Sequence, residues 1–223
     1  MRVRAADTTI VSMAATESQP EYLEALEDNS EAAIRVRIEE LEGEIARLKE
    51  SLSESRKAKQ ILSLAGGDLQ DEVIRFFSTL GMPAKPADGD RGEFWLVAEA
   101  VGEEWAFGEI RESATGNITR ELLAHVMIDR GEAGKGDEFP ALLVVNTFFQ
   151  KATIEERDQA VPAEVAKRAA EDHILVVRTL DLVRLRQKES TGFAGIPEFM
   201  EKVQNGGGWY EVNASLASRL HVS

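Results

Sequence analysis

Between Arg91 and Glu112 the chain reads as a β-hairpin, EFWLVAEA followed by EWAFGEIR, with acidic residues on one face and a Glu-x-Arg step at its end. A helix and a buried strand follow. This hairpin restricts the fold most, because the geometry of its turn sets which residues stand opposite each other. Strand alternation places Glu109 and Arg111 on one face, together with Phe107 and Trp105.

Two registers compete. If Val101-Gly102 is a two-residue loop, Phe94 faces Glu109, but that turn needs positive φ at Val101, which a β-branched residue resists. A three-residue loop, Ala100-Val101-Gly102, puts the glycine in the left-handed position and pairs Glu93 with Glu109. The second register is preferred. It makes Glu93 and Glu109 a cross-strand pair of carboxylates.

N-terminal to this region lies a heptad pattern. Ile34, Ile38, Leu41, Ile45, Leu48 and Leu52 alternate steps of four and three, as a coiled-coil seam requires. With Ile38, Ile45 and Leu52 at a, and Ile34, Leu41 and Leu48 at d, the pattern favours a parallel dimer. Across such a dimer Arg37 faces Glu42, Glu44 faces Lys49 and Ser51 faces Arg56. The expectation is a homodimer through residues 34–52; the alternative is an amphipathic helix packed on its own domain.

The remainder divides by pattern. Residues 1–30 lack periodicity and are expected to be disordered; 31–65 form the coiled-coil helix, 66–192 the main domain and 193–223 a C-terminal extension. Gly66-Gly67 breaks the first helix, and Asp68 or Asp71 caps the next, which carries Leu69, Val73, Phe76, Phe77 and Leu80. Met82 to Gly92 holds a short edge strand at best. Asn117 is the expected cap of a helix bearing Ile118, Leu122, Leu123 and Val126. ALLVVNTFF and HILVVRT are buried strands. Glu155 to Asp172 is helical with a break at Pro162, and Leu180 to Lys188 is a further helix. One more helix is expected around Pro197 to Val203, before an exposed-looking WYEV. This order implies an α/β fold, a mixed central sheet flanked by helices.

Charge and composition narrow the function. The chain carries −14, and residues 66–223 hold 17 basic against 27 acidic groups, a net of −10. That disfavours unassisted binding to a duplex, which usually needs a basic face. No cysteine is present, so disulfides, thiolate nucleophiles and cysteine-based zinc sites are excluded. No apolar run suggests a membrane helix, and the N-terminus does not read as a signal peptide, so a cytoplasmic protein is expected.

LQDEVIRFFSTLGM, the hairpin, LLVVNTFF with its trailing EERD, and RTLDLVRL together resemble the PD-(D/E)xK nuclease superfamily, the restriction-endonuclease-like fold. The likeness runs from about Leu69 to Gly192. It implies a site in which a second-strand acid and the first acid of the (D/E)-x-K step hold a divalent metal while the lysine positions the attacking water. Glu109 falls on that acid, Arg111 on the lysine and Glu93 on the second-strand acid. Gln70 stands where many relatives carry a glutamate, and Asn146 ends the fourth strand. Arginine stays charged and pairs readily with carboxylates, so Arg111 and Glu109 could fill the place of a metal with an ion pair.

Three functions follow. The first is a dimeric nuclease-superfamily protein with a drifted site, acting as a binding or regulatory subunit in a nucleic-acid-processing or defence system, with protein or nucleic acid as its partner. The second is an active Mg²⁺- or Mn²⁺-dependent nuclease using Glu93, Glu109 and Arg111. The third is a structural coiled-coil adaptor. His125, His173, Arg157, Trp209 and Tyr210 are read as structural, with Arg157 pairing Asp158 or Asp172. Arg184, Arg186 and Lys188 are read as a solvated helix face.

Overall fold

The computed structural model describes residues 29–87, 92–190 and 195–212. The expected disorder of residues 1–30 therefore falls almost wholly outside the described residues. The chain divides into two compact units, Met1–Ser51 and Leu52–Ser223. Within the first, helix α1 (Asn29–Gln60) begins and carries the heptad seam. It runs unbroken through residues 34–52, which hold no proline and a single glycine, Gly43.

The second unit is a six-stranded mixed sheet with helices on both faces. After α1, the order is α2 (Gly66–Thr79), β1 (Ala84–Pro86), β2 (Glu93–Val97), β3 (Glu104–Ser113), α3 (Arg120–Glu132) and β4 (Ala141–Thr147). Then come α4 (Ile154–Arg157), α5 (Ala163–Glu171), β5 (Ile174–Arg178), α6 (Thr179–Ser190), α7 (Ile196–Gln204) and β6 (Gly208–Trp209). The strands lie side by side in chain order. β1, β2 and β3 are antiparallel, and β3 to β6 are parallel.

The central strands explain the topology. All seven residues of β4 and all five of β5 are buried, because parallel strands are covered on both faces. Leu142, Val144, Leu175 and Val177 face one layer with Phe94, Leu96 and Ile110, against α2, α6 and α7. Leu143, Val145, Ile174 and Val176 face the other with Trp95 and Phe107, against α3 and α5. In the first layer Phe77 stacks on Phe94 at 5.6 Å and on Phe199 at 6.1 Å between ring centroids. Gly108 makes room for this stack: a Cβ there would lie 2.2 Å from the Phe94 ring.

Several local expectations are corrected. α2 starts at Gly66 after Ala65, so neither Asp68 nor Asp71 caps it; Asp68 sits in its first turn. α3 starts after Thr119, and Asn117 instead donates from Nδ2 to Ala160 O at 2.7 Å. In WYEV only Glu211 is exposed, and Trp209 and Tyr210 pack on the domain as their structural reading expected. Gly208–Trp209 forms the sixth strand, and Tyr210 and Val212 are buried in the first layer because α7 folds back over the sheet. None of the described helices is long and apolar enough to cross a membrane.

Candidate functional site

The hairpin carries Glu93 directly opposite Glu109, with Phe94 opposite Gly108 and Trp95 opposite Phe107. The register is the one expected, but the turn is different. Ala98 and Glu103 close a four-residue loop: Ala98 N donates to Glu103 O at 2.8 Å, and Gly102, at φ 64°, donates to Ala98 O at 2.8 Å. That loop alone would shift the pairing by one residue. A bulge restores it, since Leu96 pairs with Ala106 while Val97 pairs with Glu104, leaving Trp105 as the extra residue. The bulge also turns Trp105 to the opposite face, where it packs on the α2 layer instead of sharing the face of Glu109.

Glu109 and Arg111 point together beneath α3. Glu109 is fully enclosed, and Arg111 Nη2 lies 2.5 Å from its Oε1. The guanidinium also donates from Nη2 to Asp129 Oδ2 of α3 at 3.3 Å. Neither oxygen of Glu109 accepts a directed hydrogen bond among the described residues, so its contact with Arg111 is a close charge contact. Burial pushes the Glu109 carboxyl up to about 7; Arg111 opposes that rise, and Asp129 and Glu93 add to it.

Asp129 is the residue that sequence reasoning missed. The signal was present: Asp129 and Arg130 follow Val126 by three and four positions and so continue the apolar stripe of α3 inward. Both are buried. Arg130 Nη1 donates to Phe139 O at 2.9 Å and Asp172 O at 3.2 Å, tying α3 to the strand ends.

Gln70 meets this group only through the backbone of Glu93, and Asn146 lies on the other layer. Gln70, half-buried on α2, donates from Nε2 to the backbone carbonyl of Glu93 at 3.2 Å, so it braces β2. Asn146 pairs in register with Glu112 and faces the opposite layer from Glu109. It is fully buried and acts as a clamp. Its Nδ2 donates to the carbonyls of Ile61, Leu62 and Leu64 at 3.5, 3.4 and 3.0 Å. Its Oδ1 accepts from Thr179 Oγ1 at 2.9 Å and Arg157 Nη2 at 3.2 Å. Arg157 also donates to Leu62 O, so it does not pair with Asp158 or Asp172 as expected.

The RTLDL segment is structural in the same sense. Arg178 and Asp181 form a buried two-pronged ion pair, Nε to Oδ2 at 2.7 Å and Nη2 to Oδ1 at 2.8 Å. The Trp209 ring covers the guanidinium at 5.1 Å. Arg184 pairs with Asp158, Arg186 with Glu54 and Lys188 with Glu198, so that helix face is a set of ion pairs and not simply solvated. The hydrogen bond from Arg184 holds the Asp158 carboxyl below the usual carboxylate range. His125 is exposed, and His173 Nε2 meets Glu138 Oε2 at 3.2 Å.

Glu93 and Glu109 are the two acids that the hairpin sets opposite each other. A cation bridging them would displace the Arg111 guanidinium from Glu109 Oε1, and the present donor set therefore does not fit one without rearrangement. Among the described residues there is no group of three or more His, Asp or Glu in a metal-binding arrangement. No known protein family, curated protein or solved structure matches the chain.

Proposed function

We propose that this chain is a homodimeric, nuclease-superfamily-like subunit whose active site has drifted to a binding or regulatory role in a nucleic-acid-processing or defence system. The observation that carries the reading is the position of Arg111. Its guanidinium stands 2.5 Å from Glu109 and 3.3 Å from Asp129, a fixed cation beside the acid to which the resemblance would assign a metal. Arginine is also a poor proton carrier. The net charge of −10 on residues 66–223 fits a partner other than bare duplex.

A second reading has one observation in its favour. Glu93 and Glu109 are direct cross-strand neighbours, the pairing that a Mg²⁺- or Mn²⁺-dependent phosphodiester hydrolase of this type requires. Thermal melting of the full chain with and without Mn²⁺, wild type beside Glu109→Gln, separates the two. A ligand that binds only the folded state adds about 2.7 kcal/mol at a hundredfold excess over Kd. The drifted-site reading expects no Mn²⁺-dependent rise. A rise present in wild type and lost in the variant would replace it with the hydrolase.

A further inference from the structure

The seam of α1 is an apolar surface in need of a partner. Ile34, Ile38, Leu41, Ile45, Leu48 and Leu52 are each between 41% and 62% exposed. We propose that a second copy of this chain covers the seam in parallel and in register, each of these residues meeting its own counterpart. This extends the assembly part of the proposed function and is independent of the chemistry at Glu109.

The flanking charges select both the partner and its direction. In a parallel pair, each g position meets the e position five residues later on the other chain. Arg37 then meets Glu42 and Glu44 meets Lys49, and symmetry repeats both attractions. Arg37 also donates to Glu40 of its own helix at 2.8 Å, which leaves its other guanidinium donors for Glu42.

An antiparallel pair with the same seam would place Ile34 against Leu52, Ile38 against Leu48 and Leu41 against Ile45. Its e positions then face e, and its g positions face g. Glu42 meets Glu42, Glu44 meets Glu44 and Arg35 meets Lys49. Every ionisable contact is repulsive. Each such rim contact is weak alone, but here all of them change sign together, and they add to the preference of the seam itself for a parallel pair. In the parallel dimer both chains leave the coil at the same end.

The absence of native cysteine makes the direction readable. Ile34→Cys and Leu52→Cys are made separately in the full chain, oxidised alone and as a mixture after subunit exchange, and mapped by mass spectrometry. Sedimentation of the unmodified chain reports its assembly without any substitution. The expected result is a sedimenting dimer, a 34–34 link, a 52–52 link, and no 34–52 link in the mixture. A 34–52 link confined to the mixture would overturn the parallel arrangement. A monomer at micromolar concentration would overturn the second copy as the partner. Neither substitution touches Glu109 or Arg111, so failure here leaves the Mn²⁺ melting result to stand or fall separately.

Discussion

Replacing Glu109 by glutamine changes one buried group and should change the pH dependence of stability in a calculable way. The carboxyl is fully enclosed, and burial lifts it from the ordinary value of 4.5 to about 7 in the folded chain. An unfolded chain releases this proton near 4.5, whereas the folded chain holds it until about 7. Between those values the folded state binds more protons, so stability falls as pH rises. The stabilising contribution is complete below 4.5 and is lost as pH rises through about 7. At about 1.36 kcal/mol per pH unit, the interval corresponds to about 3 kcal/mol.

Glutamine has nearly the same shape and does not titrate. Its amide carries a pH-independent cost or gain of its own beside Arg111, so the informative quantity is the difference between variant and wild type at two pH values. Groups that titrate alike in both chains cancel. Urea unfolding at pH 5 and pH 8.5 should show the variant gaining up to about 3 kcal/mol on wild type over that range. For a chain of this length, that corresponds to roughly 6–12 °C in melting temperature. A difference that does not change with pH, or a variant that loses ground as pH rises, would refute the reasoning. It would mean that Arg111, at 2.5 Å, outweighs burial and keeps Glu109 ionised.

Two further substitutions test the framework around the site. Asn146→Ala removes the donor to three carbonyls of residues 61–64 and leaves Thr179 and Arg157 without their shared acceptor. Urea unfolding should show a loss of about 2–4 kcal/mol, while a loss below about 1 kcal/mol would mean that water replaces the clamp readily. Gly108→Ala drives a methyl into the Phe94 ring, whose nearest atom would be 2.2 Å away, in a layer already filled by Phe77 and Phe199. Overpacking of this kind costs about 1–3 kcal/mol, and a neutral result in thermal melting would show that the ring can move aside.

Local pattern made much of this fold legible. Runs such as ALLVVNT and ILVVR cannot leave a face in water, so two central strands were readable without any tertiary information. The seam spacing of α1 and the Glu109–Arg111 face depend only on periodicities of 3.5 and 2, which are local properties. The resistance of Val101 to positive φ was enough to favour the Glu93–Glu109 pairing. Tertiary structure decided the rest. The pairing is reached through a four-residue loop corrected by a bulge at Trp105, two opposite shifts that cancel and leave no signature in hydrophobic alternation. Asp129 joins the site because α3 is laid across β3, an approach set by the packing of Leu123 and Val126 against the sheet. Asn146 became a clamp because the chain leaving α1 returns over the end of β4 with unpaired carbonyls, which a buried amide must satisfy. Sequence thus determined which side chains share a face; which of them meet across elements was settled only when the layers closed and brought polar groups of different elements within reach of one another.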